Sequence, residues 1–104
     1  MVKQIANMSD FDNELQSTEA LVVVDFFATW CGPCVHISPK FAEMSNKYTN
    51  AVFLKVDVDE ADDVAEYCGI SAMPTFQFFK GGQKVDELVG ASEEQLKQKI
   101  EANL

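Results

Sequence analysis

Apolar residues along this chain fall into short unbroken runs and into steps of three or four, and the alternation of the two rhythms predicts its elements. Leu21 to Ala28 is apolar at every position but Asp25, as a strand covered on both faces reads, so it is expected at the centre of a sheet. Val52 to Val58 is a second such run, interrupted by Lys55 and Asp57, and Val2 to Ala6 is a shorter strand candidate. Ile37, Phe41, Met44 and Tyr48 recur at helical spacing and predict the inner stripe of a long helix, with a kink expected at Pro39. Ser9 with Asp12 three residues on resembles a capping box opening a helix that turns Phe11 and Leu15 inward. The acidic stretch Asp57 to Asp63 suits a solvated helix start. The short helix it opens runs through Val64 and Tyr67 to a stop at Gly69.

Thr75 to Lys80 and Gln83 to Val89 flank Gly81-Gly82, which predicts an antiparallel hairpin. Ser92 with Gln95 caps a closing helix. Its expected inner stripe is Leu96, Ile100 and Leu104, with Lys97 and Lys99 towards its end. The order βαβαβαββα is one α/β unit with a hairpin attached, without repeat or linker. Residues 1–104 therefore read as one domain, large enough to bury about 65% of its unfolded surface.

Candidate chemistry concentrates where the central run meets the long helix, at Trp30-Cys31-Gly32-Pro33-Cys34. Two thiols three positions apart at a helix start lie close enough either to bond or to face each other as thiols. The free N–H groups and the positive dipole end of the first turn favour a thiolate, so Cys31 is expected to be the more acidic sulfur. Cys34, one turn in, is the natural resolving thiol. Pro33 fits the first turn, where it has no N–H to lose, and its fixed φ restricts the loop.

The net charge of −9 with eight lysines and no arginine argues against nucleic acid, whose backbone needs clustered cations. Proteins, including ones with basic faces, are the expected partners. The first residues turn polar too soon for a signal peptide, and no apolar run approaches the roughly 20 residues of a membrane span. Three cysteines, two of them in C-x-x-C, suit catalytic thiols in a reducing, cytoplasmic compartment. Other uses of the cysteines fit poorly. A zinc site would need Cys68 and His36 as further ligands, without the paired spacing such sites have. Haem attachment requires His directly after the second Cys, where Val35 stands. A cysteine protease needs a distant His, and His36, expected on the surface, is the only histidine.

Asp25, alone in its apolar run, needs a partner or a task. An ion pair with Lys55 on the neighbouring strand is one reading. The other is a desolvated carboxyl, raised towards neutrality, that relays a proton for Cys34 while Lys55 tunes it.

The chain resembles the thioredoxin family, in its small eukaryotic cytosolic form, over its whole length. The matching segments are Val24 to Cys34, Val56-Asp57-Val58-Asp59, Met73-Pro74-Thr75-Phe76, Phe79-Lys80-Gly81-Gly82 and Val89-Gly90-Ala91. The resemblance implies a thioredoxin fold, a three-layer α/β/α domain. Its central mixed sheet would have five strands, three parallel plus an antiparallel hairpin, flanked by four helices.

It implies a protein-disulfide reductase, with Cys31 as nucleophile, Cys34 resolving, Asp25 relaying the proton and Gly32 and Pro33 contributing to the active site. A cis bond before Pro74 is implied too. Trp30, Gly32, Met73, Pro74, Gly90 and Ala91 would form the surface that receives a target. No bound cofactor or metal is implied. NADPH would act indirectly, through thioredoxin reductase. Peroxiredoxins, ribonucleotide reductase and methionine sulfoxide reductases are the implied targets of a monomer. Val35 replaces a lysine common in the family and so removes a nearby cation. A free cysteine is usually buried and inert, and regulation by oxidation is the alternative for Cys68. The competing class for the whole chain is a redox-dependent protein-binding module.

Overall fold

The computed structural model describes residues Met1–Leu104. Its strands are β1 (Val2–Gln4), β2 (Val22–Phe27), β3 (Val52–Asp57), β4 (Thr75–Lys80) and β5 (Gln83–Val89), and its helices α1 (Met8–Gln16), α2 (Gly32–Lys47), α3 (Asp62–Tyr67) and α4 (Glu93–Asn103). The sheet order is β1-β3-β2-β4-β5. β1, β3 and β2 run parallel, and β4 pairs antiparallel with both β2 and β5. This is the mixed sheet and the thioredoxin fold expected from the sequence.

Strand alternation divides the core into two layers. Leu21 and Val23 face α2 and α4, packing with Ile37, Phe41, Phe76, Leu96 and Ile100. Val22, Val24 and Phe26 face α1 and α3, against Phe11, Leu15, Leu54 and Val64. The same alternation puts Asp25 of β2 and Lys55 of β3 on the α2 side, in register with each other. The lone polar residue of the central strand thus points towards the helix that carries Cys34.

Helix α2 runs unbroken through Pro39. At the end of α3, Gly69 adopts φ +71°; its N–H bonds Glu66 C=O, and Ile70 N–H bonds Ala65 C=O, which closes the helix as expected. Gly81 and Gly82, at φ +59° and +78°, give the hairpin its two positive-φ residues. Ser92 Oγ accepts the Gln95 N–H at the start of α4.

Two expectations are corrected. Helix α1 is capped by Asn7, whose side chain accepts the Asp10 N–H at 3.0 Å, and Ser9 lies inside the helix. Asparagine caps as well as serine, and Asp10 also reaches back to the Ala6 N–H, so the favourable start falls two residues earlier. Leu104 is exposed, because α4 stops at Asn103 and leaves the last residue with no layer to pack on.

Candidate active site

Cys31 is the N-cap of α2, extended at φ −89° and ψ 111°. Its sulfur occupies the place of a capping oxygen and accepts the Cys34 N–H at 3.2 Å. A cap of this kind satisfies one of the helix's orphan donors and brings that donor to the sulfur, where it stabilises negative charge. Cys31 and Cys34 are joined as a disulfide with Cα atoms 5.3 Å apart. Although it stands at a helix start, Cys31 is only 7% exposed, and Cys34 3%. Ala28, Phe27 and Met73 pack around the pair, so little more than one face of Cys31 is open.

Met73 brings its carbonyl within 3.6 Å of Cys31 Sγ, and the Met73-Pro74 bond is cis. The backbone N–H and C=O of Met73 make no backbone hydrogen bond. Gly90 N–H donates to Pro74 C=O at 2.9 Å, which fastens the end of β5 to this loop. Around the sulfur, Trp30, Gly32 and Pro33 are exposed, Met73, Gly90 and Ala91 half-buried, and Pro74 buried. Pro74 therefore shapes the surface from below and adds little of its own area to it.

Trp30 is 69% exposed, so it is no core residue. Its indole Nε1–H donates to Asp59 at 2.8 Å. The functional reading of the sequence missed Asp59. The run Asp57 to Asp63 reads as one solvated cap, yet only Asp62 and Asp63 lie in the first turn of α3. Asp57 is buried and accepts the Asp59 N–H, which holds Asp59 beside the tryptophan. The signal available was the tryptophan itself, whose ring N–H seeks an acceptor.

Behind the disulfide, Asp25 is 4% exposed, and its Oδ1 has no hydrogen-bond partner in the protein. Burial pushes its carboxyl up to about 7, and the charge of Lys55 opposes that rise only in part. The Asp25–Lys55 ion pair, one of the two readings of Asp25, does not form; the Lys55 ammonium lies 6.0 Å from the centre of the Phe27 ring. Asp25, Lys55 and Cys34 line one open cleft of about 310 Å³. A carboxyl that changes charge near neutrality thus shares a solvent path with the inner sulfur.

Cys68 is half-buried, free and outside this constellation, and burial pushes its thiol up to about 11. His36 is exposed on α2. No three His, Cys, Asp or Glu side chains are grouped to hold a metal ion, and no helix is long and apolar enough to cross a membrane.

Comparison with known proteins gives this arrangement a family. The thioredoxin family model matches residues 2–102. Thioredoxin of Equus caballus is 59% identical over 101 residues, covering 96% of both chains, and thioredoxin-1 of Schizosaccharomyces pombe is 50% identical over the full length of each. The solved thioredoxin of Plasmodium falciparum superposes with a TM-score of 0.95 at 48% identity, covering 98% of this chain and 99% of that one. With the Cys31–Cys34 pair in place at the start of α2, the chain belongs to the thioredoxin family and is a thiol-disulfide oxidoreductase that reduces protein disulfides.

Proposed function

We propose that this protein is a general dithiol donor in which Cys31 attacks first, Cys34 resolves and Asp25 moves the proton between the two steps. The Cys31 thiolate attacks one sulfur of a target disulfide; that bond breaks, and the other target sulfur leaves as a thiolate that takes a proton from water. Cys34 then gives its proton to the Asp25 carboxylate and attacks Cys31 Sγ. The mixed disulfide breaks, the second target sulfur leaves, and two electrons have passed from the dithiol to the target. The observation that carries this assignment is the unequal placing of the sulfurs. Cys31 caps the helix beside the open Met73 backbone, whereas Cys34 shares its cleft with Asp25.

Lys55 holds the Asp25 carboxyl from rising further and is its tuning residue. Gly32 and Pro33 keep the active-site turn compact. The free backbone of Met73 suits the addition of an extended target segment, and Trp30, Pro74, Gly90 and Ala91 complete the receiving surface. Cys68, away from the exchange, is a candidate regulatory thiol. Residues 1–104 act as one domain and as a monomer.

In this reading NADPH restores the dithiol indirectly, through thioredoxin reductase, and no cofactor is bound to the chain itself. Targets include peroxiredoxins, ribonucleotide reductase and methionine sulfoxide reductases, with the cytoplasm as the compartment and neither nucleic acid nor membrane as a partner. The acidic, arginine-free composition supports a protein partner over a nucleic acid. Insulin reduction in the presence of NADPH and thioredoxin reductase tests the cycle. Steady NADPH consumption that depends on both cysteines is expected, and binding of targets without consumption would leave a docking module instead.

A further inference from the structure

The cleft under Cys34 has chemistry that disulfide exchange uses only in part. Its volume of about 310 Å³ reaches the range of cavities that enclose small organic molecules, roughly 300 to 1,000 Å³. Asp25 and Lys55 contribute a carboxyl and an ammonium from paired positions of β2 and β3 without forming an ion pair. Asp25 Oδ1 is buried and finds no donor within the protein. Phe27, Ala28, Val35 and Pro39 supply apolar wall, and Val35, 61% exposed, stands at the entrance.

Within the fold that acceptor has no donor, so a ligand N–H reaching it competes only with solvent in the open cleft. The charges narrow the choice of donor. With Asp25 ionised, an anion is opposed by the carboxylate and a cation by the ammonium, whereas a neutral group with a donor and an acceptor side by side satisfies both. A primary carboxamide is such a group: its N–H suits Asp25 Oδ1, and its carbonyl suits Lys55 Nζ. A flat ring on that amide would find the apolar wall.

We propose that this cleft is a binding site for small aryl carboxamides, the amide bridging Asp25 and Lys55 and the ring lying against Phe27, Val35 and Pro39. The site lies behind the disulfide and apart from the surface at Trp30 and Met73. Its occupancy requires no turnover, so it stands or falls independently of the electron-transfer cycle.

The test is an NMR titration of the oxidised protein at pH ~8, where Asp25 is ionised, with benzamide and, separately, with methyl benzoate, which has a similar shape and no donor. Benzamide should bind with a dissociation constant on the order of 1 mM, as a fragment-sized ligand does, and should shift the backbone resonances of Thr29, Ser38 and Lys55. Methyl benzoate should bind about tenfold more weakly, the cost of one unmade hydrogen bond. Asp25→Ala should weaken benzamide by a similar factor. Ser38→Trp, which fills the entrance from an exposed position, should abolish the shifts without touching the acceptor. Equal binding of the two probes, shifts centred on Trp30 and Met73, or no saturation by about 20 mM benzamide would overturn the proposal.

Discussion

In the folded chain Asp25 titrates near 7, against 3.8 for an unperturbed carboxyl, so between those values the folded state holds a proton that the unfolded state has released. Stability must fall as pH rises through that window and level off above it, because the native carboxylate is then charged in a place that disfavours charge. Asp25→Asn, close in size and unable to ionise, should equal the wild type below pH ~4 and exceed it by at most about 4 kcal/mol above pH ~8. Urea melts across pH measure the difference, and parallel curves would mean that the folded protein fully compensates the charge. The same variant should slow release of the mixed disulfide at neutral pH while sparing the first attack by Cys31, which stopped-flow turnover separates. Cys68→Ser, by contrast, should reduce insulin at close to the wild-type rate, since that thiol touches neither sulfur of the pair. Asp25 was legible because one carboxylate in an apolar strand must have a partner or a task. Its missing ion pair was not, because strand register places Lys55 alongside while the rotamer of a long side chain decides whether it arrives. Asp59 was hidden by its neighbours, since the seven residues Asp57 to Asp63, mostly acidic, look alike until the fold turns one of them towards Trp30.

Helix α2 has a cysteine where a serine, threonine or aspartate would ordinarily cap, and the identity of that one atom exchanges a common cap for a reactive one. With the disulfide reduced, Cys31→Ser should keep the cap and match or slightly exceed the stability of the wild type. Cys31→Ala should lose about 1 kcal/mol relative to the serine variant, and both should be inactive; urea denaturation in dithiothreitol gives the comparison. Gly69→Ala at the end of α3, where φ is +71°, should cost about 1 kcal/mol for putting a Cβ into the left-handed region. Elements with a strong pattern were the readable ones: β2 from a run apolar but for Asp25, α2 from its stripe, the hairpin from two glycines. Helix ends were less so. Asn7 and Ser9 are both good caps, and the sequence does not reveal which one the packing of Phe11 and Leu15 selects. Leu104 keeps the helical rhythm past the last turn that has anything to pack against.

The molecule as a whole carries −9, and part of that charge, Asp59 to Asp63, lies along the loop and helix start next to Trp30. Opposite charges steer encounter at long range and salt screens them, so kcat/KM for a target with lysines or arginines around its disulfide should fall as salt rises from 0.01 M to 0.3 M, roughly severalfold. A target with an acidic surround should show the reverse slope, and salt independence for both would remove charge from target choice. Architecture at this scale was readable from element order together with resemblance, because parallel strands joined by helices leave few ways to cover both faces of one sheet. The division of labour between the two sulfurs is the central claim, and trapping tests it most directly. Each single Cys→Ser variant, reduced and then mixed with a disulfide-bonded target such as insulin, is run on a non-reducing gel. Cys34→Ser should accumulate a mixed disulfide through Cys31 that dithiothreitol releases, and Cys31→Ser should accumulate none; accumulation by the Cys31 variant in preference to the Cys34 variant would contradict the account.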